Sequence, residues 1–496
     1  MDCGDQIISD TGTMSVMPSK RYRFALVSVV NDHKKMAMNK DLSGGVGTAD
    51  DYGGSVATNI VRFIKSKSIS LPVISFAYLQ SVLKQLGHLV QYFEGEIPAH
   101  QSAEFDVVLI YGTIVDYKYE NIVAQKIAQQ YPKAKVGFFG PFPGVKPELF
   151  SNFNFILKGE AEAYFMEQFK ELSELEGIVT VHKLTDLDSL PSPDLSGLPV
   201  ENYGYAPALN ARPFATLKSS MGCPYSCSYY CTYGEFQGPK IRQRSAGKVV
   251  DDIVNYQKGW GIKGILFRDP VFGLKNQFIT EFCDELERRK VKIKWAMETR
   301  LDVLSEELII RMHQLGLRNI NIGIETNDPE IAKASKRVLV KEDLQLKMIR
   351  FCEKVGVKIS AFYIFGLEGD TEKSVNSLVD YAMKLNTHLT RFAISTPYPG
   401  TGFYDQVKRE GRLLTDDLEK YSQFNLVYKH DGLDPKQVRK LLQRAVRRYY
   451  FRPRYMLMNF KWRVRELIEL GVEFSIKLYK FPSSRYKKRS SQRSIL

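Results

Sequence analysis

Three cysteines, Cys223, Cys227 and Cys231, fall within nine residues of the stretch MGCPYSCSYYCTYG, residues 221–234, and no fourth ligand stands beside them. A structural zinc needs four protein ligands, and the nearest histidine, His182, lies far upstream, so a local tetrahedral site is disfavoured. The CxxC spacing of a thioredoxin-like redox pair is absent. Three unrelated buried cysteines would be the plainest reading, but crowding into one loop counts against it. A [4Fe–4S] cube takes one cysteine per iron, so three cysteines leave one iron open to a substrate or cofactor. The remaining cysteines, Cys3, Cys283 and Cys352, are scattered and read as ordinary residues of helices or a terminus.

Two alternating α/β series must position that loop. In residues 21–183, RFALVSVVN, LVQYFEG, FDVVLIYG, KVGFFGPF and NFILKGE read as buried parallel strands, with SFAYLQSVLKQLG, NIVAQKIAQQY and AEAYFMEQFKEL as amphipathic helices between them. This predicts a doubly wound, flavodoxin-like domain with its ligand across the C-terminal strand ends. Small residues stand at those ends: Gly112 and Thr113, Gly140, and Gly159 with Glu160. Together they are read as a ligand site, and singly each is equally a turn residue. The insert DLSGGVGTADDYGG, residues 41–54, holds neither a dinucleotide fingerprint nor a P-loop. Residues 184–213, rich in Pro, Ser and Gly, read as a linker.

From 214 to 415 six strands, ATLKSSMG, GILFRDPVF, KIKWAMET, NINIGIET, KISAFYIFG and RFAISTPYP, alternate with helices. The repeat predicts a partial (β/α)6 barrel with chemistry at the C-terminal strand ends, and the cysteine loop follows its first strand.

Length sets the scale: 496 residues exceed one ordinary core. The net charge of +14 sits in the tail: residues 436–496 hold 18 Lys+Arg against 3 acids, leaving 52 basic and 53 acidic residues before them. A helical basic region, 416–480, and a disordered end, 481–496, are expected. The stretch VRKLLQRAVRRYYFRPRYMLMNFKWRVRELIELGVEFSIKLYK interleaves basic and apolar residues, which fits an amphipathic helix on an anionic membrane as well as it fits a solvated basic face packed on the barrel. Phosphate attraction needs no motif, yet no specific nucleic acid is expected. The N-terminus, MDCGDQIISDTGTMSVM, lacks the charged-then-apolar order of a secretory signal, so the expected location is the cytoplasm, peripheral to the inner membrane face if the tail binds there.

The cysteine loop, FRDPVFGLKN, WAMETRLDVLSEELIIRMHQLG, NIGIETNDPEIAKASKR, FYIFGLEGDT and PYPGTGFY occur in the order seen in radical S-adenosylmethionine (SAM) enzymes. The chain resembles that family over roughly 22–415, and its first domain resembles the cobalamin-binding domain that often precedes the barrel. The resemblance implies that Cys223, Cys227 and Cys231 bind a [4Fe–4S] cluster whose free iron takes SAM, that Tyr230 lies beside it, and that SAM is cleaved to a 5′-deoxyadenosyl radical. It further implies that Asp269, Glu298, Arg300 and Glu325, at strand ends, face SAM or substrate, and that Ser360 and Phe362 face adenine. A buried carboxylate is costly unless paired, which favours a role, but each of the four charged residues could also be half of a structural ion pair. The spacing departs from the family's CxxxCxxC by one residue in CSYYC, which a bulge can absorb. Asp32-His33 fails the DxHxxG pattern, so His33 is read as a loop residue and the cobalt's lower face is left to another group, water or nothing. The implied activity is cobalamin-dependent methylation of an unactivated carbon of a small-molecule or lipid-like substrate, with flavodoxin or ferredoxin as electron donor. Cyclisation or rearrangement is the alternative. A transfer-RNA methylthiotransferase would add a second cysteine set, and a corrinoid sensor would not need the cysteine loop.

Overall fold

The computed structural model describes residues 20–34, 38–98, 101 and 103–479. Cys3 and the expected disordered end lie outside them.

Apolar runs buried on both faces become parallel strands, because helices must cover each side. The first sheet contains β1 (Arg23–Ser28), β2 (Leu89–Glu94), β3 (Val107–Tyr111), β4 (Lys135–Phe139), β5 (Phe155–Lys158) and β6 (Gly177–Thr180), in the order β2-β1-β3-β4-β5-β6. All its pairings are parallel, with Phe24 opposite both Val90 and Val107. This is the flavodoxin-like order, whose switch point falls between β1 and β3. The weakly apolar sixth strand, GIVT, is not among the expected ones.

The second sheet runs in sequence order through β7 (Phe214–Leu217), β8 (Gly264–Phe267), β9 (Lys294–Glu298), β10 (Leu317–Glu325), β11 (Lys358–Phe365) and β12 (Leu389–Ile394), again all parallel. Among the described residues β7 and β12 do not pair, so the barrel is open between them.

Helix α1 (Val56–Ser68) lies between β1 and β2 in the chain but away from their sheet, and the helices on the first sheet are α2 (Ile74–Gln85), α3 (Tyr117–Gln130), α4 (Pro141–Val145) and α5 (Ala161–Glu167). Then come α6 (Thr232–Gln237), α7 (Ala246–Trp260), α8 (Asn276–Arg288), α9 (Glu306–Gln314), α10 (Pro329–Ala334), α11 (Glu342–Val355), α12 (Glu372–Leu385) and α13 (Gly402–Arg409). Side-chain caps start several of them: Ser245 accepts from Lys248 N before α7, Ser305 from Leu308 N before α9, and Thr371 forms a capping box with Ser374 before α12. One face of the first sheet and the barrel share a continuous apolar core, and a second core covers the other face of that sheet.

The Gly-rich insert is a structural bridge. Met38–Asn39 pairs with Thr48–Ala49, the intervening turn abuts Tyr111 and Thr232, and Ile69–Ser70 pairs with Gly204–Tyr205 ahead of β7. Asp50 meets Arg391 of β12, so residues 50–71 span the open side of the barrel. The segment read as a linker is packed along its length: Leu184, Leu187, Leu190, Leu195 and Leu198 are buried, and Ser192 and Asp194 carbonyls accept from Ser81 and Gln80 of α2.

Two helices end the described chain, α14 (Pro435–Tyr450) and α15 (Pro453–Tyr479). The first of them, α14, packs on the barrel. Its apolar face, Val438, Leu441, Leu442, Ala445, Val446 and Tyr449, is buried against α12 and α1, because that stripe supplies the barrel with a cover. On α15, Met458 and Trp462 face inward while Met456, Leu457, Phe460, Leu467 and Ile468 are exposed. Among the described residues no helix is long and apolar enough to cross a membrane.

Candidate active site

The cysteine loop is anchored at both ends. Asp269, just past β8, accepts from the Ser219 amide at 2.8 Å, the Ser220 hydroxyl at 2.8 Å and the Ser219 hydroxyl, while Ser220–Met221 pairs with Arg242–Gln243. Burial pushes the Asp269 carboxyl up to about 6. Asp269 therefore fixes the loop's root and does not line a cavity. Gly222 turns the chain at φ 90°, where a Cβ would stand 2.1 Å from the Lys240 carbonyl oxygen.

A 3-10 turn over Ser226–Tyr229 leads into α6, and the Cys231 amide donates to the Cys227 carbonyl at 3.0 Å. That i→i+4 bond accommodates the additional residue of CSYYC, and residues one turn apart lie on one side of the chain. Cys223 and Cys227 are buried and all three thiols are free. Desolvation raises each of them, Cys227 to about 11, so each keeps its proton near neutrality until a cation replaces it. Among the described residues no three His, Cys, Asp or Glu side chains converge on one metal position. A four-iron cube does not require that, since each thiolate meets a different iron.

Loop and barrel are joined by two arginines. Arg337, in the SKR run after α10, stands beside the Cys227 thiol, donates to the Gly323 carbonyl and lies 3.1 Å from Glu325 Oε1. The Tyr230 hydroxyl donates to the other Glu325 oxygen. Glu325 itself has φ 67°, next to a bulge at Gly323, a conformation that costs a non-glycine residue about 1–3 kcal/mol and is retained where surroundings enforce it. Arg300 binds Asp302 at 2.9 Å and the Val338 carbonyl at 3.0 Å, and its guanidinium covers the Tyr225 ring at 4.8 Å. It braces the loop from outside the barrel cavity.

That cavity, about 240 Å³, occupies the C-terminal half of the barrel and is lined by Tyr230, Cys231, Tyr233, Arg268, Glu298 and Glu325 on the loop side. Phe362 lines it too. Ser360, two residues deeper on β11, accepts from Asn319 Nδ2 at 3.0 Å and lies outside the lining. Burial raises the Glu298 carboxyl, which accepts from Arg268, and Arg268 also donates to Asp41 Oδ2 at 3.0 Å and to the Tyr233 hydroxyl at 3.3 Å.

A larger cavity of about 510 Å³ lies over the C-terminal ends of β3, β4 and β5, within the range of about 300–1,000 Å³ usual for organic ligands. Gly140, Gly159 and Glu160 line it as expected, whereas Gly112 and Thr113 do not. Gly112 is pressed against Pro143, and the Thr113 amide and hydroxyl both donate to the buried Glu120 carboxylate. Glu160 pairs with Arg242 at 2.5 Å and accepts from the Leu184 amide. Gly44 and Gly45 of the insert complete the wall, the latter at φ 92° with its carbonyl accepting from Tyr111 OH at 2.7 Å. Only the glycine run in the insert could have signalled them. His33 lies off this wall, its amide donating to Asn31 Oδ1 and its ring edge-on to Tyr119, as a loop residue. The donor set fits a flat, polar-rimmed cofactor: positive-φ glycines keep side chains off the floor, with Phe139, Met221 and Phe236 around them and Lys158 and Lys183 at the edge. Arg268 and Tyr233 line both cavities.

Residues 217–382 match the Radical SAM superfamily. An uncharacterized methyltransferase of Pyrococcus horikoshii is 25% identical over 78% of this chain and 90% of its own length. The anaerobic magnesium-protoporphyrin IX monomethyl ester cyclase of Rubrivivax gelatinosus is 25% identical over 56% of this chain and 49% of its own. Among solved structures, the radical SAM methyltransferase TsrM of Kitasatospora setae, with cobalamin and a [4Fe–4S] cluster bound, superposes with a TM-score of 0.58 and 15% identity, covering 79% of this chain and 78% of that one. Residues 217–382 are thus a radical SAM domain, and the parallel sheets before and within it have the fold of the cobalamin-dependent members of that superfamily.

Proposed function

We propose that the chain is a cobalamin-dependent radical SAM methyltransferase acting on an unactivated carbon of a small-molecule or lipid-like substrate. The observation that carries this reading is the common wall: a cavity over a flavodoxin-like sheet and a cavity inside a radical SAM barrel meet at Arg268 and Tyr233. In it, Cys223, Cys227 and Cys231 hold the cluster, Glu325 with Tyr230 and Arg337 orients SAM, and the backbone at Gly44, Gly45, Gly140 and Gly159 bears the corrinoid. When bound, these groups supply a reducing electron, a hydrogen-abstracting radical and the methyl group. On the cysteine side the protein keeps Glu298 paired to Arg268, so that this carboxylate does not face the reacting carbon unpaired. An external one-electron donor of the flavodoxin or ferredoxin class belongs to the reading.

The match to a cyclase favours ring closure on the same parts as the second reading. Iron, sulfide and corrinoid counts on protein purified without oxygen from cobalamin-supplied cells test both. About four irons and one corrinoid per chain are expected. S-adenosylhomocysteine formed beside 5′-deoxyadenosine marks methylation, and 5′-deoxyadenosine alone marks the second reading. Iron without corrinoid sinks both.

A further inference from the structure

The side of the barrel cavity away from the cysteines is closed by the bridge, and it carries charged residues to which the proposed function assigns no role. Lys65 of α1, Asp50 of the insert and Arg391 of β12 all line it. Lys65 Nζ donates to Tyr52 OH and lies 4.7 Å from that ring's centroid. Arg391 Nη2 stands 3.3 Å from Asp50 Oδ1, but the geometry is not that of a hydrogen bond: Arg391 Nε and Nη2 and Asp50 Oδ1 have no hydrogen-bond partner among the described residues. The surrounding wall, Ile69, Leu71, Phe362, Ile364, Leu389 and Ala393, is apolar.

Two cations thus face one carboxylate in a largely apolar chamber, with guanidinium donors left open. Leaving them so is costly, and a planar or tetrahedral oxyanion is the group that a guanidinium fork and an ammonium satisfy together. The opposite wall has the reverse balance, with the carboxylates Glu298 and Glu325 against the single cation Arg268, so the chamber is polarised. Burial lowers the Lys65 ammonium to about 8, which keeps it mostly charged at neutral pH.

We infer that Lys65 and Arg391 form an oxyanion subsite that holds a carboxylate or phosphate of the substrate at the bridge side of the barrel, with Asp50 setting the guanidinium's orientation. This rests on the barrel cavity being the substrate chamber of the proposed function, and it narrows the substrate to an apolar body bearing an anionic group.

The test is calorimetric titration of the full-length protein, as purified and after loading with iron, sulfide and cobalamin. The probes are inorganic phosphate, butyrate and the neutral isostere butyramide, at pH 7. One equivalent of phosphate or butyrate is expected to bind, and butyramide is not. The tighter of the two anions names the group. Arg391→Gln weakens that binding about tenfold or more, as loss of a charge-assisted hydrogen bond does, while Lys118→Gln, an equal charge change at the surface, leaves it unaltered. Should Arg391→Gln fail to fold, Lys65→Met is expected to weaken binding in the same direction. Absence of anion binding up to about 50 mM, or equal losses in the cavity and surface variants, overturns the inference. A chain that holds no iron or corrinoid but still binds the anion overturns the function instead, so the two failures are distinguishable.

Discussion

Glu325 is a glutamate in a left-handed conformation, pinned between Tyr230 on the cysteine loop and Arg337 after α10. Both partners of the ion pair are largely buried, so removing one leaves an uncompensated charge, which costs about 3–5 kcal/mol. Arg337→Gln is therefore expected to lower the thermal midpoint, and adding Glu325→Gln in the same chain to restore part of it. Equal midpoints in wild type and Arg337→Gln would show that the pair bears no weight. Sequence reading found Glu325 and missed Arg337, although the SKR run was in view, because nothing local says that an arginine after a short helix returns to a loop more than a hundred residues earlier. The same limit hid Arg391, which reads as one polar residue in the strand RFAISTPYP until Asp50 and Lys65 are brought beside it.

The strands and the larger barrel helices could be located, since apolar runs and amphipathic periods are local signals, but ATLKSSMG, GILFRDPVF and RFAISTPYP run past the strand ends at Leu217, Phe267 and Ile394. The bridge could not, because its pairings are two residues long and its partners lie on both sheets. Helix α15 shows how such remote docking becomes pH-sensitive. Trp462 meets the buried ring of His388 at 5.7 Å, and burial together with nearby Lys358 pushes that imidazole down to about 3. The unfolded chain takes up its proton near 6.5, so stability is full above that value and falls as pH drops toward 3. At pH 5 the gap of about 1.5 units corresponds to about 2 kcal/mol. Melting curves should show a loss between pH 7 and pH 5 that is smaller in His388→Gln; an identical loss in both chains would remove His388 as the cause.

Across the whole molecule, the two cavities are built from separate sheets yet share Arg268 and Tyr233, and the bridge contributes different residues to the wall of each. Gly45 stands where the bridge meets β3, at φ 92°, and a Cβ there would lie 2.4 Å from the Tyr111 hydroxyl. Gly45→Ala should thus cost about 1–2 kcal/mol in the corrinoid-side wall and reduce corrinoid retention roughly tenfold. Iron should stay near four per chain, because the cysteine loop is anchored independently by Asp269. Parallel loss of iron and corrinoid would mean that the cavities do not load separately.

The bridge also bears on modularity. Residues that precede most of the first sheet provide the missing stave of the barrel, and with it the charged side of the inner chamber. A chimera carrying residues 214–415 of this chain behind a foreign N-terminal half would keep the cysteines and lose that stave, so its substrate choice would be inherited from the donor of the first seventy residues, not from the barrel.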